Sequence, residues 1–237
     1  MLKYAPTRLV TVPGFCDVLI SLKKHSIPTL GDSLEYIVTG GADLSPRTID
    51  DLSAFNIPIY NGYGMTETTN LFTGNPYTQE YKDTIGHIYP NSYYKILDNE
   101  LYVKGDNLFK GYFRENNENT FDNDGYFPTG DLVAEDIQTG LLHFIGRKKQ
   151  IIVLDSGINI VPLKIERSLS QHIPGMQDCR VYSPDNKNLL CEYYTTTDID
   201  TQLLNDINQR LGVEKVTAFI KQKNPLPKNN KMEVIRK

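Results

Sequence analysis

The hexapeptide Gly62-Tyr63-Gly64-Met65-Thr66-Glu67 groups three chemically distinct side chains in one glycine turn. The Tyr63 ring offers a flat face to an adenine ring. The Thr66 hydroxyl suits a phosphate oxygen. The Glu67 carboxylate is the hard oxygen ligand that magnesium takes. The flanking glycines let the backbone approach a nucleotide closely, and turn N–H groups can face its phosphates. A second turn of this kind is Gly40-Gly41-Ala42. Farther along, Asp131 ends the tetrapeptide Pro128-Thr129-Gly130-Asp131, where a carboxylate can accept hydrogen bonds from both hydroxyls of a ribose. Arg147, in Gly146-Arg147-Lys148-Lys149, carries a guanidinium able to hold the oxygens of a ribose or an α-phosphate bidentately. Each motif also has a plainer use: a strand-end turn with a solvated Glu, a turn-forming Asp, a solvated basic turn.

The elements that must position these residues follow from periodicity. Residues 8–25 place Phe15, Val18, Leu19 and Leu22 at helical spacing after Pro13, with Lys23, Lys24 and His25 near the C-terminal end of the dipole. Tyr36–Val38 reads as a strand running into Gly40-Gly41. Ser45-Pro46 is an N-cap followed by proline at the first helical position, opening a helix through Phe55. Ile57–Tyr60 is a further strand into the Gly62 turn. Strand, helix, strand with short turns is a parallel α/β unit, whose ligands sit at the C-terminal ends of the strands. From about residue 76 the texture changes to tyrosine-rich, period-two alternation, a small β-rich part. Asn99, before Glu100-Leu101, suits left-handed turn geometry.

The stretch 146–166 reads as a basic turn, a short strand over Ile151–Leu154, a turn at Asp155-Ser156-Gly157, a second extended run and then a helix with Leu163, Ile165 and Leu169 apolar. Two antiparallel strands (around residues 178–185 and 189–196), a helix ended by Gly212 and a last strand with a loop complete a compact α+β part. The predicted architecture is therefore α/β and α+β. Residues 1–148 form one part, α/β to about 75 and β-rich from 76 to 148. Residues 149–237 form a small C-terminal domain.

Taken in order, GYGMTE, ELYVKGDNLFKGY, PTGD and GRKKQIIVLDSGINIVP resemble the adenylate-forming (AMP-binding) superfamily: acyl-CoA synthetases, luciferases and peptide-synthetase adenylation domains. The wording of the last motif is most similar to long-chain acyl-CoA synthetases, and the resemblance runs from about residue 10 to the C-terminus. It implies that Gly40, Gly41, Ala42, Tyr63, Gly64, Thr66, Asp131 and Arg147 hold the nucleotide of ATP or AMP, and that Glu67 is linked to Mg2+. It makes Lys149 the hinge about which the small domain turns, and sets the Gly157 hairpin toward an acceptor tunnel. It also implies the chemistry of a ligase of fatty acid metabolism: a carboxylic acid is adenylated, then passed to the thiol of coenzyme A or a phosphopantetheine arm.

Two departures from the family qualify this. Its Ser/Thr/Gly-rich phosphate loop ending Pro-Lys-Gly is not in this sequence, so the chain is expected to be a C-terminal portion, partnered by a separate N-terminal half or inactive without it. At PKNNKMEVIRK, an ungapped match to the loop ending Gly-Lys-Ile-x-Arg puts Glu233 at the adenylation lysine; a two-residue gap makes Lys231 that lysine. A carboxylate supplies no positive charge to the transition state. The reading therefore stays open between a ligase and a non-catalytic AMP-binding or interaction module.

Composition limits the alternatives. Across 237 residues both charge signs are mixed and the net charge is -4, giving no nucleic-acid footprint and no polybasic patch. Cys16, Cys179 and Cys191 are scattered, expected as reduced thiols of a cytoplasmic protein rather than a disulfide frame or zinc site. No apolar run is long enough to span a membrane.

Overall fold

The computed structural model describes residues 4–27, 33–42, 44–69, 71–75, 81, 84–230 and 233–236. The chain forms two compact units, Met1–Phe144 and Ile145–Lys237. The division falls shortly before the basic turn where the sequence places its hinge.

The first unit opens with β1 (Arg8–Thr11), α1 (Pro13–Lys24), β2 (Tyr36–Gly40), α2 (Pro46–Ala54) and β3 (Ile59–Gly62). The three strands pair in parallel in the order β1-β2-β3, with Leu9 opposite Ile37 and Ile37 opposite Ile59. Residues 8–11, ahead of the helix expected after Pro13, form a strand; Val10 and Thr11 are β-branched, and the run pairs with a distant segment. The buried side of α1 also differs from expectation. Cys16, Leu19 and Ile20 are buried, whereas Phe15 and Val18 are exposed. The cap of α2 is as read: Ser45 Oγ accepts from the Thr48 backbone N–H at 3.1 Å. Cys16, Ile20, Ile37, Ile49, Leu52 and Ile59 form one core between the sheet and both helices. Burial, with Asp17 adding to it, pushes the Cys16 thiol up to about 12.

The β-rich part is a short pair, β4 (Thr73–Gly74) with β5 (His87–Ile88), and a sheet of β6 (Ser92–Leu97), β7 (Glu100–Gly105), β8 (Phe127–Glu135) and β9 (Leu142–Arg147) in that order. Asp98 and Asn99 turn the β6–β7 hairpin with both φ positive, 51° and 63°. Phe72, Leu101, Val103, Phe127, Val133 and Leu142 make its core.

The second unit has a small hairpin, β10 (Ile152–Val153) with β11 (Asn159–Ile160), then α3 (Pro162–His172), β12 (Met176–Tyr182), β13 (Leu190–Thr195), α4 (Thr201–Arg210) and β14 (Ala218–Lys221). β12 and β13 are antiparallel as expected, and β14 adds parallel to β13. Ile160, Ile165, Leu169, Val181, Cys191, Leu204 and Ile207 form its core. The three cysteines are free and buried. No described helix is long and apolar enough to cross a membrane.

Candidate functional site

Two segments far apart in sequence meet in the first unit. Beyond the end of β3, Tyr63 is held by backbone and side chain: its carbonyl accepts from the Phe72 and Thr73 N–H groups, and its N–H donates to Thr73 Oγ1 at 3.2 Å. Thr73 Oγ1 in turn donates to the Ile85 carbonyl. The ring lies half-buried against the β-rich core. Its hydroxyl donates to Asp131 Oδ2 at 2.8 Å, 68 residues away in sequence.

Asp131 reaches that position through a bulge in β8. Glu100 pairs with Leu132 and Tyr102 with Pro128, so three residues of β8 face one of β7. Gly130 takes φ 71° there, a conformation glycine adopts without strain. Thr129 Oγ1 donates to the Leu101 carbonyl at 2.7 Å and accepts from the Asp131 N–H at 3.1 Å. Behind the corner, the buried Glu100 carboxylate accepts from the Gly130 N–H at 3.1 Å. Asp131 is 3% exposed, and the Tyr63 hydroxyl helps to fix its carboxylate. Glu100 opens the ELYVKGDNLFKGY motif, but its bond to the Gly130 N–H on the adjacent strand, 30 residues on, leaves no local signal in the sequence.

The turn after Gly64 is a 3-10 segment, Thr66–Thr68. Thr68, not Thr66, locks it: Thr68 Oγ1 accepts from the Met65 N–H and donates to the Met65 carbonyl, both at 3.0 Å. Thr66 is exposed, open to a ligand. Glu67 Oε1 accepts from the Tyr112 hydroxyl at 2.8 Å, and the Glu67 carbonyl from the Phe109 N–H. Burial, then Glu67, pushes the Tyr112 phenol up to about 12, so it stays a neutral donor below that pH. Tyr112 belongs to a motif the sequence singled out, yet its pairing with Glu67 spans 45 residues and is visible only in the fold.

Gly40 and Gly62 sit opposite each other at the ends of β2 and β3. A Cβ on Gly40 would meet the Gly62 carbonyl oxygen at 2.9 Å, and one on Gly62 would meet Leu71 at 2.7 Å. Gly41, at φ 79°, and Ala42 continue beyond β2. Thr39 Oγ1 and Asn61 Oδ1, on paired residues of the same strand ends, are buried without a hydrogen-bond partner among the described residues. Partnerless buried polar atoms at strand C-termini suit a crevice that takes a polar ligand. An adenine nucleotide fits this donor set: an aromatic ring, a ribose-sized carboxylate and an open hydroxyl. No described group of three His, Cys, Asp or Glu could hold a metal alone. Glu67 is a single carboxylate, enough for a magnesium ion carried mainly by phosphate oxygens.

The other candidates lie in the second unit. Arg147 ends β9 and is exposed, and Lys149 is exposed in a 3-10 turn, Lys148–Gln150. Gly157 turns the β10–β11 hairpin at φ 81°. Glu233 closes a terminal hairpin: its N–H donates to Asn229 Oδ1 at 3.0 Å, and Asn229 Nδ2 donates to Glu233 Oε2 at 2.9 Å. Lys231 lies outside the described residues. A pocket of about 580 Å3 in this unit is lined by Arg180, Glu192 and residues 220–227, and none of the nucleotide candidates contributes to it.

Residues 1–113 match the AMP-binding enzyme family. The 2-succinylbenzoate–CoA ligase of Staphylococcus epidermidis is 35% identical over 219 residues, 86% of this chain and 46% of that protein. Its Staphylococcus aureus counterpart is 33% identical over 208 residues, 82% of this chain and 42% of that protein. Among solved structures, an O-succinylbenzoate coenzyme A synthetase (MenE) from Bacillus subtilis with ATP and magnesium superposes with a TM-score of 0.78 at 22% identity, which shows the fold. It covers 98% of this chain and 51% of that one. An ATP-bound RpMatB-BxBclM chimera superposes with a TM-score of 0.83 at 27% identity, over 98% of this chain and 50% of its own. The chain spans about half the length of these proteins. The expected likeness to long-chain acyl-CoA synthetases, and with it fatty acid metabolism, is corrected: the relatives matched are ligases of 2-succinylbenzoate. At the coarser level the expectation stands, and residues 1–113 carry the sequence of the AMP-binding enzyme family.

Proposed function

We propose that this chain is the nucleotide-holding and C-terminal portion of an AMP-forming acid–CoA ligase whose acid is a compact aromatic carboxylate of the 2-succinylbenzoate kind. The observation that carries the reading is the Tyr63–Asp131 hydrogen bond, which joins the turn suited to adenine and phosphate with the carboxylate suited to ribose. The ring of Tyr63 takes the base, Asp131 the ribose hydroxyls and Thr66 a phosphate oxygen. Glu67, steadied by Tyr112, takes the magnesium that accompanies ATP. The backbone at Gly40, Gly41, Ala42 and Gly64 passes close to the nucleotide. Magnesium supplies charge neutralisation on the phosphates when bound. Lys149 is the pivot between the two units, and Arg147 a phosphate or ribose contact. The acid's activated carboxyl passes from AMP to the thiol of coenzyme A. Two things support a compact acid: the names of the matched ligases, and the Leu71 side chain that fills the space beside Gly40 and Gly62.

A second reading keeps AMP binding without ligation. It is favoured by Glu233, whose carboxylate at the ungapped lysine position is engaged in closing a hairpin.

Stable acyl-adenylate analogues test the proposal by calorimetry on the purified chain. The 2-succinylbenzoyl analogue is expected to bind more tightly than AMP, and a stearoyl analogue no more tightly than AMP. A preference for stearoyl would restore the long-chain reading. Robust ATP–pyrophosphate exchange by this chain alone would exclude the non-catalytic module and turn attention to Lys231.

A further inference from the structure

The sheet of the second unit buries one face against α3 and α4, through Cys179 and Val181 of β12 and Cys191 of β13. Alternation turns the neighbouring residues to the other face. The register then lines up Arg180, Glu192 and Ile220 in one row across β12, β13 and β14. Charged groups on such a face are ordinarily solvated, yet Arg180 is 5% exposed and Glu192 6%. The guanidinium is held on two sides: Nη2 donates to Glu192 Oε2, and Nη1 to the Ile235 carbonyl at 2.5 Å. The Tyr182 hydroxyl donates to Glu192 Oε1 at 3.1 Å. Arg180 Nε has no acceptor. Among the described residues it is the one buried polar side-chain atom of the second unit without a hydrogen-bond partner. A buried donor of a charged group left without an acceptor costs more than an ordinary hydrogen bond contributes, so it points to an absent oxygen.

The same guanidinium lines the pocket of about 580 Å3, a volume that suits a small molecule. Two lysines share that pocket: Lys221, 3.7 Å from Asp198, and Lys223, exposed and in no ion pair among the described residues. Glu192 neutralises Arg180, so the lining keeps an excess of positive charge. The rest of the wall includes Ile220, the buried Leu226 and two prolines. We propose that this pocket binds a small monocarboxylic acid, with its carboxylate between Arg180 Nε and Lys223 and its apolar body against Ile220 and Leu226. A single negative charge matches one open guanidinium N–H and one open ammonium. A phosphate dianion fits less well, because the buried Glu192 carboxylate stands in the same wall. The site shares no residue with the nucleotide candidates of the first unit and does not rest on that reading.

The test is a nuclear magnetic resonance titration of the whole purified chain, labelled with 15N, with hexanoate as the probe. Hexanamide is its neutral counterpart and inorganic phosphate the competing oxyanion, all at one ionic strength. Hexanoate is expected to shift the Arg180 Nε–H resonance and the amides of residues 220–224 saturably, with a Kd of about 1 mM or tighter. Hexanamide should bind at least about tenfold more weakly, since it lacks the charge that strengthens the bond. Lys223→Gln, at an exposed position that folding does not depend on, should weaken hexanoate about threefold. Arg180→Lys should remove the shifts at residues 220–224. No saturable shift up to about 10 mM, an equal response to hexanamide, tighter binding of phosphate, or indifference to Lys223→Gln would each overturn the proposal. AMP titrated into the same sample reports on the first unit by its own resonances, so failure of the two sites is read separately.

Discussion

Glu166→Ala is expected to destabilise the second unit by about 3–5 kcal/mol, among the largest single-residue effects in this chain. Glu166 lies on α3 and is 7% exposed. Its carboxylate accepts from the Arg236 guanidinium bidentately at 2.7 and 2.6 Å, and from the Val181 N–H of β12 at 2.7 Å. One side chain thus ties a helix, a sheet and the C-terminal arm. Truncation leaves a largely buried guanidinium and a buried backbone N–H without that acceptor, which costs more than the bonds themselves contributed. Two further contacts hold the same arm: Lys228 to the buried Asp178 at 2.7 Å, and Arg180 to the Ile235 carbonyl. These keep the loss local, so the hairpin closed by Asn229 and Glu233 should gain hydrogen exchange before the core does. Urea unfolding followed by tyrosine fluorescence checks the magnitude; the chain has no tryptophan. A change below about 1 kcal/mol would show that Arg236 finds solvent or another partner.

Gly86→Ala is expected to open the β4–β5 pair and to weaken nucleotide binding with it. Gly86 sits at φ +86°, where a Cβ costs about 1–2 kcal/mol by itself. Here that Cβ would also stand 2.0 Å from the Gly74 carbonyl oxygen and 2.8 Å from the Asn75 nitrogen, both backbone atoms that cannot rotate away. The total should exceed about 3 kcal/mol, as overpacking adds to backbone strain. The effect reaches the site because β4 holds Tyr63: Thr73, opposite Ile88 in this pair, bonds Tyr63 through both its N–H and its hydroxyl. Gly140→Ala is the control. It has φ +68° but nothing within 4 Å of its would-be Cβ, so it should cost only the strain of about 1 kcal/mol and leave AMP binding alone. Equal effects of the two substitutions would refute the clash.

What the sequence made legible was local. The Ser45-Pro46 cap, the glycine turns at the strand ends and the left-handed Asn99 each depend on a few neighbouring residues, and each is where expected. What it left hidden depends on pairing at a distance. β1 became a strand because β2 lies beside it, and α1 turned Cys16 and Ile20 inward, rather than Phe15 and Val18, to meet that sheet. The parallel addition of β14 to β13 has no signature in the residues of either strand. At the site, Tyr63 and Asp131 were singled out by motif, but their hydrogen bond was not. Glu100 and Tyr112 stand at the two ends of the ELYVKGDNLFKGY motif, but that they steady Gly130 and Glu67 appears only once the chain folds. Glu166 read only as one polar position of an amphipathic helix, because its partner lies 70 residues on.

The central claim is that one wall of the first unit holds an adenine nucleotide through Tyr63 and Asp131, and calorimetric titration of AMP into the purified chain tests it most directly. The prediction is a single site, with Asp131→Ala weakening binding about 10–100-fold, the worth of about 1.5–3 kcal/mol for hydrogen bonds to a charged group. Glu233→Ala should leave the affinity unchanged. No detectable AMP binding, or binding that Asp131→Ala leaves intact, would contradict the account.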